Sequence, residues 1–139
     1  AVAALEASAT VMRQDAEALL HGEGTATERL VAYLERQRDS LMGCRMGRMT
    51  YDADVLATPE LLAPVSETLV WLVETIESVI SEGIGTGEFP RNTDAHRLAS
   101  MIVATVQGGY VLARAQQDPA EFHAAVQGAT ALLCAWSQR

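Results

Sequence analysis

The methionine and tyrosine side chains are the residues of this sequence that best suit a ligand-binding site. Met42, Met46 and Met49 lie close together along the chain. Methionine is flexible and polarizable, so such a group suits an adaptable apolar pocket. Together with Met12 and Tyr51, these residues predict a pocket for a small, apolar ligand. The same side chains could instead fill gaps in a hydrophobic core.

Five further residues extend the candidate ligand site. Tyr33, Gln37 and Thr105 carry polar groups on otherwise apolar helix faces. Each could orient a ligand through one hydrogen bond, or could bond to a neighbouring backbone group. Trp71 lies opposite the main apolar stripe of its helix, so it could line a pocket mouth, meet a partner subunit or lie partly exposed. Ile102, on an apolar helix face, completes the set.

Arginine and histidine side chains offer two other kinds of chemistry. Arg45 and Arg48 could pair with an anionic ligand or remain solvated. A metal site would need several ligands on one helical face, as in a Glu-x-x-His pair. His21, His96 and His123 share no such face with one another or with a suitably spaced Glu. We therefore expect no metal ion.

Sequence motifs for catalysis are missing. There is no Gly-x-Ser-x-Gly nucleophile motif, and Cys44 has no sequence partner that would activate it. Residues 83–87 read Gly-Ile-Gly-Thr-Gly, but they follow a predicted helix and lack the spacing of a P-loop or dinucleotide motif. We interpret them as a turn. The sequence predicts a protein that is not an enzyme and needs no cofactor.

Composition and charge indicate a folded domain that does not itself bind nucleic acid. Hydrophobic residues make up 49% of the 139 residues, which is typical of a globular domain. Acidic residues outnumber basic ones, 18 to 10, and the net charge is −8. Every basic residue is Arg and none forms a cluster that could follow a phosphate backbone. The arginine bias suggests a bacterial source.

Cysteine usage and the apolar runs indicate a soluble, cytoplasmic protein. The two cysteines lie far apart in sequence and show no pairing pattern. No apolar run reaches the ~18 residues that would span a bilayer, and the sequence does not start like a signal peptide. The chain starts without Met inside a periodic helical segment. We therefore expect residues 1–139 to be one domain of a larger protein.

Apolar periodicity predicts helices throughout and no strands. Residues 2–19 form an amphipathic helix. Thr25 and Glu28 form a capping box for a second helix that runs to about Leu41, with Gly43 as its left-handed stop. Residues 44–58 are less regular and are assigned one short helix. The fold class is all-α, with about six helices.

Prolines and polar caps mark the later helices. A long helix begins at Pro59 or Pro64 and stops near residue 83. Asn92 or Thr93 caps the next helix, which carries no formal charge between residues 97 and 114 and is predicted to be buried on nearly all sides. Asp118, followed by a proline and a Glu at the third position, starts the last helix.

The last two helices have apolar surface on two sides, more than one chain can cover. A second copy of the chain is the simplest cover, so we predict a homodimer in which these helices form an intersubunit four-helix bundle. The residues assigned to the interface are Ala99, Val103, Val106, Gln107, Tyr110, Ala124, Gly128, Ala131 and Ala135. The helix that ends near Arg114 could present its opposite face to the partner. A preceding part of the protein could instead cover these surfaces.

The order of motifs at the end of the chain is similar to that of the TetR family of transcriptional regulators. The segment GEFPRNTDAHRLASMIVATVQGGYVLARAQQDPAEFHAAVQGATALLCA resembles the two closing helices of that family. Residues 43–47, Gly-Cys-Arg-Met-Gly, resemble a glycine-cysteine motif at the start of a short middle helix in many members.

This resemblance implies an effector-binding and dimerisation domain with a ligand pocket inside the helical core of each subunit. A helix-turn-helix domain preceding the chain would bind operator DNA, and a small effector would shift the first helix and release the DNA. Arg45 and Arg48 could then also contact that domain. Two alternatives stay open: a free-standing helical dimer that binds a hydrophobic metabolite or a protein without any DNA role, and an unrecognised helical enzyme.

Overall fold

The computed structural model describes residues 2–137, which form seven α-helices. In chain order they are α1 (Val2–Leu20), α2 (Ala26–Glu35), α3 (Arg45–Met49), α4 (Ala53–Ala57), α5 (Pro59–Gly85), α6 (Ala95–Gln116) and α7 (Pro119–Trp136). The described residues contain no strand, so the predicted all-α fold is confirmed. The additional helix arises because residues 44–58 hold two short helices instead of one.

Most helix starts follow the predicted signals. Thr25 and Glu28 form the capping box of α2, since each side chain accepts a hydrogen bond from the other residue's backbone amide. Asp118 caps α7 and Pro119 occupies its first turn. Of the two prolines considered for α5, Pro59 is the one that begins the helix.

A residue other than those predicted caps α6. The Asp94 carboxylate accepts a hydrogen bond from the Arg97 backbone amide at 3.0 Å, whereas we expected Asn92 or Thr93 in this role. The Thr93 hydroxyl instead accepts a hydrogen bond from the indole nitrogen of Trp136 at 2.9 Å. This bond holds the end of α7 against the turn that precedes α6.

α2 ends at Glu35 instead of continuing to about Leu41. The Arg38 guanidinium folds back and donates to the carbonyl oxygens of Tyr33 and Leu34, at 2.6 and 2.8 Å. Carbonyls in the last turn have no acceptor role within the helix, and a cation there also meets the negative end of the helix dipole. Leu41, the predicted end of this helix, consequently lies exposed in the following turn.

Two groups of buried apolar residues form the interior. The main cluster lies between the end of α1, α2, α5, α6 and α7, and its largest members are Leu20, Leu30, Leu34, Ile76, Ile80, Phe89, Ile102, Phe122 and Leu133. The minor cluster joins the first half of α1 to α3, α4 and the start of α5, and it consists of Leu5, Ala9, Met46, Val55 and Val65. Met12 and Cys44 pack against both clusters and therefore mark their boundary.

α6 has one buried and one exposed face, although its lack of charge predicted burial on nearly all sides. Its buried residues are Ala99, Ile102, Val103, Val106, Gly109, Tyr110 and Ala113. Its exposed apolar residues include Met101, Ala104, Gly108, Val111 and Leu112. By length and composition α6 alone among the described helices could cross a membrane. Its buried face packs between α5 and α7 in the main cluster.

Candidate functional site

A cavity of about 540 Å³ lies at the boundary between the main and minor clusters. One wall is α1, from residue 4 to residue 16. The opposite walls come from the end of α2, the turn into α3, the middle of α5 and the second half of α6. Ala4, Ala7 and Val11 on the α1 wall are exposed, so the cavity communicates with solvent along this helix.

The interior of the cavity is apolar. Met12 projects from α1, Met46 from α3, Leu72 from α5 and Val106 from α6. All except Met12 are buried, so they form a preshaped apolar surface, and the flexible methionines let it adapt to a ligand. Such a surface can bind the apolar body of a small molecule.

Two tyrosines add aromatic walls with hydrogen-bonding hydroxyls. Burial raises the pKa of Tyr33, and it raises the pKa of Tyr110 to about 12, with the nearby Arg38 guanidinium acting in the opposite direction in both cases. Both phenols are therefore neutral near pH 7 and can donate a hydrogen bond. The Tyr110 ring stacks on Phe122 with centroids 4.8 Å apart, which fixes its position.

Three arginines and one acid supply the formal charges of the cavity wall. Arg36 Nη1 lies 3.9 Å from Asp15 Oδ2, beyond hydrogen-bond distance, and its buried Nε has no partner among residues 2–137. Arg45 donates to Ser8 Oγ at 3.2 Å. Burial lowers the pKa of Arg38, yet a guanidinium stays charged in proteins. The wall therefore carries more positive than negative charge.

The glycine-cysteine segment is held in place by α6. Gly43 has a φ of +77°, a left-handed conformation that favours glycine, as predicted. Its predicted role as the stop of the second helix is wrong, because α2 already ends at Glu35. The Arg114 side chain donates to two carbonyls of the preceding turn, at 2.8 and 3.2 Å. A Cβ on Gly47 would overlap the carboxamide oxygen of Gln107. The motif thus allows α3 to approach α6 closely, and the Cys44 thiol accepts the Gly47 amide as the α3 cap.

Four of the predicted ligand-binding residues line cavities. Met12, Tyr33 and Met46 line the cavity described above. Tyr51 lines an adjoining cavity of about 320 Å³, which shares the glycine-cysteine segment and part of α6 with the first. The three neighbouring methionines therefore do not lie together: Met46 lines the cavity, whereas Met42 is exposed in the turn before α3.

Three other predicted ligand residues lie away from the main cavity. Gln37 is exposed because α2 has already ended two residues earlier. Met49 packs against the minor cluster, which is the core-filling role considered for the methionines. Ile102 is fully buried in the main cluster, between α6 and its neighbours. None of the three lines the main cavity.

Trp71 and Thr105 have partners of their own. The guanidinium of Arg13 on α1 lies over the Trp71 ring, 5.3 Å from its centroid, in a cation–π contact. This contact accounts for a large apolar ring on a partly polar face. The Thr105 hydroxyl donates to the Met101 carbonyl at 2.8 Å, one turn earlier in the same helix, which is the backbone bond considered as its alternative role.

Several cavity residues were not predicted as ligand-binding. Val106, Gln107 and Tyr110 had been assigned to the dimer interface, yet they line the cavity from α6. Arg36 and Arg38 were missed because the sequence pattern extended α2 through them. Only Arg45, among the arginines of the cavity wall, had been recognised as a candidate for an anionic ligand.

The predicted dimer interface divides between the two closing helices. Its α7 residues, Ala124, Gly128, Ala131 and Ala135, all lie on the exposed face. Its α6 residues do not: Ala99, Val103, Val106 and Tyr110 are buried in the main cluster, and Gln107 is half-buried at the cavity. The orientation chosen for α6 was therefore wrong, and Leu112 on the opposite face is exposed.

The packing of α7 explains which face of α6 turns inward. Both faces are apolar, so periodicity alone could not separate them. A Cβ on Gly109 would lie 2.9 Å from Cδ1 of Phe122, so this glycine is what allows the Phe122 ring to reach α6. Cβ atoms on Gly108 and Gly128 would meet no neighbour within 4 Å, which places both glycines on the open side.

Comparison with known proteins places this arrangement in a family. Residues 24–129 match the family described as the tetracyclin repressor-like C-terminal domain. A TetR transcriptional regulator from Chloroflexus aurantiacus J-10-FL superposes with a TM-score of 0.86 at 25% identity, over 97% of this chain and 71% of that one. A TetR family transcriptional regulator from Cytophaga hutchinsonii superposes with a TM-score of 0.86 at 21% identity, over 99% of this chain and 72% of that one. A search of curated proteins finds no match.

The family match covers well over half of the chain, and the structural similarity extends over nearly all of it. Proteins of this family regulate transcription and are not enzymes, in agreement with the prediction of no catalytic activity. The predicted resemblance is therefore confirmed: the chain belongs to the TetR-type regulators, as a tetracyclin repressor-like C-terminal domain.

Proposed function

We propose that this chain is the effector-binding and dimerisation domain of a TetR-like repressor that releases operator DNA when a small molecule binds. The observation that carries this proposal is the cavity of about 540 Å³ whose wall is α1. A ligand in this cavity must contact α1 directly, and α1 is the helix that would continue into a preceding DNA-binding domain.

The packing of α1 suggests how binding is transmitted. In its first half α1 is anchored by Leu5 and Ala9 in the minor cluster, whereas its last turns belong to the main cluster through Ala16 and Leu20. Occupation of the cavity between these anchors would favour one position of the first half of α1 over another. A ligand changes DNA affinity only through its different affinities for these two positions.

The exposed face of α6 and α7 supports a homodimer. On α6 it carries Val111, which is 50% exposed, and on α7 Leu132, which is 67% exposed. Around them Gly108, Gly128 and the small α7 residues named above leave room for another helix to approach closely. An apolar face of this kind is expected to be covered by a second copy of the chain, forming the intersubunit four-helix bundle.

The remaining partners follow from charge and from the family. A chain with a net charge of −8 would contact operator DNA only through a separate helix-turn-helix domain. The effector is a small molecule with an apolar part that fits the methionine-lined interior, and no membrane partner is proposed. Such a regulator would act in the cytoplasm of a bacterium, where its operator lies.

The release of operator DNA can be tested with the product of the complete gene. Operator sequences are first selected from random duplex DNA, and binding is then measured by fluorescence anisotropy while a panel of apolar metabolites is added. We expect one sequence to be enriched and at least one compound to weaken its binding. If no sequence is enriched although compounds bind, the free-standing helical dimer without a DNA role becomes the better proposal.

The dimer can be tested with matched glycine variants. Gly128→Leu places a large side chain on the exposed α7 face, where the monomer has room for it. Gly85→Leu makes the same change at the end of α5, again in open space but outside this face. Sedimentation analysis should show a dimer for the wild type and for Gly85→Leu, with dissociation at least tenfold easier for Gly128→Leu. A monomeric wild type, or an unaffected Gly128→Leu dimer, contradicts the interface.

A further inference from the structure

The charge of the cavity wall is opposite to the charge of the chain. The chain as a whole carries 18 acidic and 10 basic residues. The cavity wall nevertheless holds Arg36, Arg38 and Arg45, and Asp15 is its single acidic residue. In a partly desolvated space, such an excess of positive charge favours a bound anion.

Arg36 is the arginine best placed to pair with a ligand. Its buried Nε has no hydrogen-bond partner within residues 2–137, and a buried donor without an acceptor costs free energy. Its contact with Asp15, at 3.9 Å, is too long for a hydrogen bond. An oxyanion can accept two parallel hydrogen bonds from one guanidinium, which would satisfy this side chain.

The other two arginines are already engaged. Arg38 donates to three backbone carbonyls at and beyond the end of α2, and its guanidinium lies over the Tyr33 ring, 5.0 Å from the centroid. Arg45 donates to Ser8 on α1. They contribute positive charge around the cavity, while their hydrogen bonds maintain the fold. Recognition of a charged group is therefore concentrated on Arg36.

We infer that the ligand of this cavity is an amphipathic anion, in which an oxyanion group pairs with Arg36 and an apolar body packs against Met12, Met46 and Leu72. The chemistry of the ligand is inferred from the cavity alone. Only the statement that this ligand is the effector rests on the proposed function. It sharpens the expectation of an apolar small molecule, because a neutral apolar compound would leave the buried Arg36 Nε without a hydrogen-bond acceptor.

Two fluorescent dyes with the same aromatic body test this inference. One is 8-anilinonaphthalene-1-sulfonate, which carries a sulfonate, and the other is N-phenyl-1-naphthylamine, which carries none. Both are titrated into the chain and the two dissociation constants are compared. A charge-assisted hydrogen bond corresponds to roughly a tenfold effect or more, so we expect the sulfonate to bind at least tenfold more tightly.

Three variants locate the preference at Arg36. Arg36→Gln should weaken the sulfonate roughly tenfold and change the neutral dye less than about twofold. Arg36→Lys should restore most of the preference, because it keeps the positive charge. Arg97→Gln is the matched control and should change neither dye, since its side chain is 88% exposed at the start of α6, away from the cavity. Thermal melting shows whether each variant is folded.

Equal binding of the two dyes by the wild type would overturn the inference, as would equal weakening of both dyes by Arg36→Gln. If Arg36→Gln does not fold, Arg36→Met, which also removes the charge and keeps the length of the side chain, takes its place. The titrations contain no DNA, so they are independent of operator release. If only neutral compounds release the operator, the proposed function is supported and the inference of an amphipathic anion is contradicted.

Discussion

The main and minor clusters differ in size and in what they connect. Among the described residues the main cluster holds 21 buried side chains, whereas the minor cluster holds five. Because hydrophobic stabilisation scales with buried apolar area, most of the stability of the domain resides in the main cluster. The minor cluster holds the first half of α1 and the short helices α3 and α4, so these elements are the easiest to displace.

The cavity lies where the two clusters meet, and this position would separate the stability of the domain from the switching proposed above. A ligand placed inside the main cluster would have to disrupt the packing that folds the domain. At the boundary it can instead change how the minor cluster sits on the main one, at little cost to the fold. The following predictions test this division, beginning with the largest expected effect.

Phe122→Ala should lower the free energy of unfolding by about 3–5 kcal/mol, because it removes a ring that fills the centre of the main cluster. Phe122 is 2% exposed and stacks on Tyr110. Urea unfolding followed by circular dichroism measures the change. Val70→Ala on α5 is the control, since Val70 is 51% exposed and should change the free energy by less than about 0.5 kcal/mol. Similar losses in the two variants would argue against a main cluster that dominates stability.

Met46→Ala should lower the free energy of unfolding by about 2 kcal/mol, less than Phe122→Ala. This value is at the lower end for a buried methionine, because the adjacent cavity already limits the packing of Met46. The loss should be concentrated in the minor cluster. Amide hydrogen exchange would then accelerate in α3 and α4 and in the first half of α1, and change little in α6. Equal acceleration in α6 would mean that the two clusters open as one unit.

Glu88→Gln should lower the free energy of unfolding by about 1 kcal/mol near pH 7, because the Glu88 carboxylate accepts hydrogen bonds from the first two amides of α2, at 3.1 and 3.0 Å. Burial raises the pKa of Glu88, but the hydrogen bonds from Thr27 and Ala26 outweigh this and hold it below its ordinary value of 4.5. The stability that it contributes is therefore present above pH 4.5 and is lost as the pH falls through the lowered pKa.

The pH series separates this effect from that of the neighbouring capping box. Unfolding of both proteins is measured between pH 7 and the acidic range, and the difference between them is compared at each pH. Contributions of carboxylates away from Glu88 are common to both proteins and cancel. Glu28 does not cancel completely: hydrogen bonds from Thr25 lower its pKa, and the Glu88 charge raises it in part. A difference that does not shrink below pH 4.5 would mean that the Glu88 charge is not what supports the start of α2.

Local sequence signals predicted the elements well where one side chain acts on its own backbone. The capping box at Thr25 and the Asp118-Pro119 start require only neighbours within a few residues. The prediction of the end of α2 was wrong for the complementary reason. Its stop depends on Arg38 reaching back to carbonyls in a helix that periodicity extended beyond that residue.

The candidate site was predicted less completely than the fold. The methionine-rich segment did reach the cavity through Met46, together with Met12 and Tyr33. Arg36 and Tyr110 lie far apart in sequence and in different helices, so their shared position could not be deduced from spacing. The dimer face of α6 was misassigned because both of its sides are apolar.

The sequence alone determined the helical class, the acidic surface and most helix starts, because hydrophobic period, net charge and caps are local or additive properties of the chain. The tertiary structure alone decided which face of α6 turns inward and which arginines meet at one cavity. Those outcomes depend on contacts between distant segments, above all the close approach of Phe122 to Gly109 and the early end of α2. Such contacts arise only when the helices pack together.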